Sequence, residues 1–330
     1  MEGPDLIINS WYLDDGTLVG DASTINKVLD ILSAHGPSNG LFLNTSKCEI
    51  WSPTNSPLDC FPPDIIRIDN KGVELLGSAL GDPEFAVRIV LKRVSKIKQL
   101  VSLLHEINDA EIEYRLLKSC IGMPKFNFAL RSRHPEDIKD AIVEFDDIMY
   151  CGIEHILGNH RIDTVDRLRM SLPISLSGLG LPLAKNFAPA AYCGSKIQTL
   201  HLQSKILQKT NKVDETSLIS DGKELFASLI TPLLDNSSDM LTYDNLLRNK
   251  DPQHTIYLSI CSKAYDDYVN DDKVSLRCKK TAKVGCGDNG HFLDVTLLNG
   301  MKMNSIEFRI ACKLYLGFPV FYLPHRKSLL

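Results

Sequence analysis

Two clusters of residues could do chemistry. The first is Trp11-Tyr12-Leu13-Asp14-Asp15-Gly16, in which two acids stand side by side between apolar runs. Adjacent carboxylates repel each other and resist burial. A divalent cation relieves that repulsion, and magnesium takes carboxylate oxygens while keeping waters and accepting phosphate oxygens as further ligands. Such ions serve phosphoryl transfer by clamping attacking and leaving oxygens. Asp-Asp-Gly is also an ordinary turn sequence, because Asp and Gly tolerate the backbone angles that turns require. The second cluster is Arg88, Lys92, Arg93, Lys96 and Lys98, five cations in eleven residues with no acid among them. On a helix, positions 88, 92 and 96 stack along one face. That stripe could neutralise phosphates in a salt-dependent, sequence-independent way, or it could be a solvated helix face.

The elements that would position these groups can be read from periodicity. Leu6 to Tyr12 reads as a strand, Asp14-Asp15-Gly16 as a turn and Thr17-Leu18-Val19 as a second strand, which places both acids at a hairpin tip. Ile25, Val28, Leu29 and Leu32 have helical spacing, with Asp21 or Ser23 as cap and Gly36-Pro37 as stop. A hairpin-like stretch runs from Leu41 to Trp51. Ile65 to Ile68 and Val73 to Leu76 read as short strands joined at Asn70-Lys71-Gly72. From Pro83 onward helices dominate: Phe85 to Ile107, Glu111 to Leu130, Pro135 to Leu157, Pro189 to Leu207 and Ser305 to Leu316. Leu172 to Leu183 is a connection punctuated by Gly and Pro, and Asn211 to Asp251 is polar and loosely patterned.

Bulk properties bound the function. The chain has 330 residues, 44% hydrophobic and 24% charged, as expected of a globular protein with a substantial core. Its net charge of -4 means that any nucleic-acid contact must be local. No apolar run approaches the roughly 18 residues of a membrane span, so no membrane partner is expected. No signal sequence is expected at the start, and the predicted location is intracellular, nuclear or cytoplasmic. The nine cysteines show no CxxC pair. Cys278, Cys286 and His291 fit no zinc spacing. Cys120, Cys151, Cys193 and Cys312 sit in apolar helical contexts and are expected in the core. Ser177-Gly178-Leu179-Gly180 lacks the Lys-Ser/Thr of a phosphate loop.

Three blocks in order resemble one family. Tyr12-Leu13-Asp14-Asp15 is similar to the Tyr-x-Asp-Asp box of reverse transcriptases. Gly40-Leu41-Phe42-Leu43-Asn44-Thr45-Ser46-Lys47-Cys48-Glu49 resembles the Gly-Leu-x-Leu-Asn-x-x-Lys-Cys-Glu block of non-LTR-type retroelement enzymes. Val73-Glu74-Leu75-Leu76-Gly77 is similar to the Leu-Gly block that follows. Softer matches lie at Leu172 to Leu181 and Phe308 to Gly317. The resemblance implies an α+β fold: a partial antiparallel polymerase palm over residues 1-82, a helical thumb-like region over 83-160 and a mostly helical region over 161-330. It implies Mg2+ held by Asp14 and Asp15, and an RNA or DNA template-primer as partner. Tyr12 would lie near the primer end or incoming nucleotide, Lys47 would assist the departing pyrophosphate, and Gly77 would let backbone approach the primer. Arg88, Lys92 and Lys96 would grip the duplex. The family also uses an Asp well upstream of its Tyr-x-Asp-Asp box, and only thirteen residues precede Asp14. The chain is therefore expected to be a C-terminal polymerase fragment, inactive alone. A non-catalytic nucleic-acid-binding remnant, and a structural or interaction protein, are the alternatives.

Overall fold

The computed structural model describes residues 5–54, 57–208, 215–234, 241–294 and 302–320. Helices dominate and the strands are few and short, an α+β composition. The chain divides into two compact units. One comprises Met1–Ala86 with Thr199–Lys223, the other Val87–Gln198 with Glu224–Leu330.

Among the described residues, the first unit holds every strand. β1 (Ile8–Tyr12) and β2 (Asp15–Val19) pair antiparallel, with Tyr12 opposite Asp15 and Ile8 opposite Val19. α1 (Ala22–His35) starts at Asp21 and ends at Gly36, whose amide bonds the Leu32 carbonyl at 2.8 Å. It follows the amphipathic spacing of its sequence, yet none of its residues is buried. β3 (Glu49–Ile50) and β4 (Ile66–Arg67) form a parallel pair. β5 (Gly72–Leu75) and β6 (Ser78–Gly81) form an antiparallel hairpin.

This arrangement departs from the expected one in two places. Leu41 to Trp51 makes no hairpin: only Glu49–Ile50 is extended, and its partner lies at Ile66–Arg67. Ile65 to Ile68 also does not turn back on Val73 to Leu76. The Asp69 side chain accepts the Lys71 amide at 3.1 Å, curling Asn70-Lys71 into a local loop, and Gly72 opens a strand that pairs forward. The actual turn is Leu76–Gly77, with φ of 49° and 80°. Two successive left-handed residues match the right-handed twist of the flanking strands, so the ladder forms there. Among the described residues the strands make three separate two-stranded sheets, and the β3–β4 pair is parallel where a partial antiparallel palm was expected.

The second unit is helical. It contains most of α2 (Pro83–Leu104), then α3 (Ala110–Leu116), α4 (Met123–Ser132), α5 (Lys139–Ile156) and α6 (Thr164–Ser171). Parts of α7 (Ala184–Gln208) and α8 (Glu215–Leu229) follow, then α9 (Tyr243–Leu246), α10 (Pro252–Asn270), α11 (Leu276–Gly285) and α12 (Ser305–Leu316). The buried stripe of α2, Val90, Val94, Ile97, Val101 and Leu104, joins a core that runs on through Phe126, Phe145 and Phe308 to Phe318. Phe126 and Phe145 stack at 4.5 Å between ring centres. Helices on both sides of residue 160 thus share one interior.

The single helix expected over Glu111 to Leu130 is two. A π-helical turn at Leu117–Ile121 leads to Gly122, whose φ of -71° and ψ of -121° leave the helical region, and Pro124 sits in the first turn of α4. Proline lacks the amide that would continue the ladder, so the chain restarts there. Two buried polar residues then tie the core. Asp146 receives the amides of Ala184 at 2.6 Å and Lys185 at 3.1 Å, capping the start of α7. Arg169, fully buried, has six acceptors within hydrogen-bond reach of its five N–H groups, three of them sharing Nη1. They are the Ser177, Cys278, Tyr315 and Leu316 carbonyls and the Ser177 and Thr281 hydroxyls, at 2.6 to 3.3 Å.

Candidate functional site

The acidic hairpin turns one residue earlier than its sequence suggests. The two-residue turn is Leu13–Asp14, and Asp15 already belongs to β2. Leu13 carries φ of 56°, a left-handed conformation that costs a non-glycine residue on the order of 1 kcal/mol. Gly16 is used in the strand and not in the bend. A Cβ there would lie 2.5 Å from the Trp11 ring, so the missing side chain is what lets the indole fold across the ladder. Trp11 is held in turn by its Nε1, which donates to Asn9 Oδ1 at 2.7 Å.

This places Asp14 at the tip and Asp15 directly beside it, across from Tyr12. Tyr12 is 76% and Leu13 85% exposed, and both acids are exposed as well. Among the described residues no Lys or Arg forms an ion pair with either acid, so their charges point to solvent uncompensated. As donors, two carboxylates suit a hard cation such as Mg2+. In number they fall short, since among the described residues no group of three His, Cys, Asp or Glu could hold a metal ion. Asp14 and Asp15 would therefore contribute part of a coordination shell, with waters or substrate oxygens filling the rest.

The other residues of the resemblance are spread over the first unit. Lys47 is exposed and ends a 3-10 turn, Thr45–Lys47, that a hydrogen bond from Thr45 to Asp64 pins in place. Cys48 follows it, and burial, aided by the Asp64 charge, raises its thiol pKa. Gly77 occupies the second position of the β5–β6 turn, where its φ of 80° favours glycine. No hydrogen bond or ion pair among the described residues joins Lys47 to Asp14 or Asp15.

On α2, Arg88, Lys92 and Lys96 are exposed, opposite the buried Val90, Val94 and Ile97. The helix thus separates a cationic face from an apolar one. Arg93 lies between the faces, its guanidinium 5.9 Å from the centre of the Phe128 ring.

Two of the four cysteines expected in the core lie outside it. Cys193 and Cys312 are buried as expected, and burial raises the Cys193 thiol to about 12. Cys120 and Cys151 are exposed, on the outward sides of their helical segments. Sequence also missed a pair of imidazoles, His105 and His155, stacked at 3.7 Å. His155 Nε2 lies 3.5 Å from the buried Glu113 carboxylate. Burial lowers the His105 pKa, the neighbouring imidazole lowers it further, and Glu113 partly offsets both. A cavity on the second unit, lined from α4, α7 and α10, was likewise marked by no motif.

Among the described residues no helix is long and apolar enough to cross a membrane. No family model, curated protein or solved structure matches this chain.

Proposed function

We propose that this chain carries the acidic hairpin of an RNA-directed DNA polymerase of the non-LTR retroelement type, joined to a helical part that holds the template-primer, and that it does not extend primers alone. The observation that carries this reading is the pair Asp14 and Asp15, exposed and, among the described residues, without a Lys or Arg partner, Asp14 in a two-residue turn and Asp15 beside it across the ladder from Tyr12. Bound there, Mg2+ would neutralise triphosphate charge and favour ionisation of a primer 3′-hydroxyl. The chain's own residues supply positioning. The ladder fixes where Asp15 and Tyr12 point, and the Tyr12 ring offers a flat face beside the acids. Lys47 would supply a mobile cation for pyrophosphate, and Gly77 a turn free of side-chain bulk. Arg88, Lys92 and Lys96 would meet duplex phosphates as a helical stripe. With only two carboxylates gathered among the described residues, the metal shell is incomplete, which is why binding is proposed without turnover.

The test has two arms. Calorimetric titration of the chain with MnCl2 should show weak binding that the double variant Asp14→Asn/Asp15→Asn abolishes; binding that survives the double variant rejects the hairpin as the metal mount. Filter binding to an RNA-DNA primer-template across a salt series should show a log-log slope that Arg88→Glu/Lys92→Glu/Lys96→Glu reduces by about 3, near one per lost phosphate contact. An unchanged slope rejects α2 as the nucleic-acid face.

A further inference from the structure

The second unit contains an open cavity of about 440 Å³ whose lining residues have two different chemistries. One group is cationic and amide-rich. Arg131 of α4 donates through Nη2 to Gln198 Oε1 at 2.8 Å and through Nη1 to Gln253 Oε1. Gln253, buried, uses its own amide nitrogen to reach Asn127 Oδ1 at 3.2 Å. Both partners of the guanidinium are neutral, so it is held in position while its charge stays available. A carboxylate at either place would have held it equally well and cancelled that charge. Lys250 and His254 line the same opening. The acid beside them, Asp251, commits Oδ1 to the His254 amide at 3.1 Å as the cap of α10.

Two of the other lining residues, Phe187 and Tyr257, are aromatic. Phe187 and Tyr257 meet edge to face at 5.0 Å, and Phe187 is only half-buried. The Tyr257 hydroxyl turns away to the Ser171 carbonyl at 3.4 Å, so its ring serves the cavity as apolar surface. The volume falls in the range of small-molecule sites, about 300 to 1,000 Å³. A fixed cation, an exposed Lys, side-chain amides and aromatic rings suit one ligand class, a phosphate ester carrying a flat heterocycle.

We propose that this cavity binds a nucleoside monophosphate unit, with the phosphate against Arg131 and Lys250 and the base against Phe187. The proposal does not rest on the acidic hairpin. It is tested by calorimetric titration of the full chain in EDTA at low ionic strength with adenosine 5′-monophosphate, adenosine and inorganic phosphate as separate probes. The monophosphate should bind at least about tenfold more tightly than either fragment, because both groups contribute. Gln198→Glu keeps an acceptor on Arg131 and changes only the charge, so it should weaken the monophosphate by about tenfold or more without disturbing the fold. Lys250→Ala, at an exposed position, should weaken it by a smaller factor, and Asp14→Asn/Asp15→Asn should leave it unchanged. Equal affinity for phosphate and monophosphate overturns the role of the aromatic rings. Unchanged affinity in Gln198→Glu, or no binding of the monophosphate at millimolar concentration, overturns the site.

Discussion

Replacing Arg169 by Met should destabilise the second unit, and the reason lies in carbonyls rather than charge pairs. The last carbonyls of a helix have no intrahelical donor. In α12 the amides of Gly317 and Phe318 satisfy Leu314 and Lys313. Tyr315 and Leu316 come after them, and Arg169 serves both, at 2.7 and 2.6 Å. It also serves the Ser177 carbonyl at 3.3 Å. Leaving three buried carbonyls unpaired costs about 1–3 kcal/mol each, against which removal of a buried cation returns several kcal/mol of desolvation. The net expectation for Arg169→Met is a loss of about 2–5 kcal/mol. Arg169→Lys keeps the desolvation cost but offers three donors for six contacts, so it should be at least as damaging as Met. Guanidinium denaturation followed by far-UV circular dichroism reads both variants as shifts in midpoint. If both lose less than about 1 kcal/mol, or if Lys is clearly the milder change, then water or rearrangement satisfies those carbonyls and the reasoning fails.

Other consequences are equally open to measurement. Burial pushes the Asp146 carboxyl up to about 6, against the pull of its two amide donors. The folded state therefore holds this proton more tightly than the unfolded state, and the stability it contributes is present near pH 4 and lost as pH rises through 6. The difference between wild type and Asp146→Asn should change by about 2–3 kcal/mol between pH 4 and 7, and a flat difference in urea midpoints would contradict it. Gly178→Ala should cost about 3 kcal/mol or more in a thermal melt, since its Cβ would lie 2.0 Å from the Leu172 carbonyl oxygen and 2.7 Å from that of Arg169. An unaltered melting temperature would show that the Leu172 to Leu183 connection is pliable.

Legibility in the sequence followed the locality of the signal. α2 and α12 were readable because aliphatic residues recur at helical spacing, and α12 adds a capping box between Asn304 and Glu307. α10 leaves little trace in the sequence because Gln253, Tyr257, Cys261 and Tyr268 supply much of its buried face, so no aliphatic stripe stands out. Its start was nevertheless signalled by Asp251-Pro252, a cap followed by proline in the first turn. The acidic pair is legible in the sequence, but its turn lies one residue earlier than Asp14-Asp15-Gly16 suggests, because Gly16 resembles a bend residue while its use is to admit the Trp11 ring. Arg131 and Arg169 are ordinary arginines in sequence. Their partners lie 67 to 147 residues away except for Ser177, and no local pattern encodes such meetings.

The three ladders of the first unit share no strand, and α1 seals none of its side chains from water. A two-stranded ribbon alone is marginal, so each such piece opens and closes on its own account. Heating should therefore erode the three ribbons gradually, one after another, while the helices that share the Val90-to-Phe318 interior hold until they give way in one step.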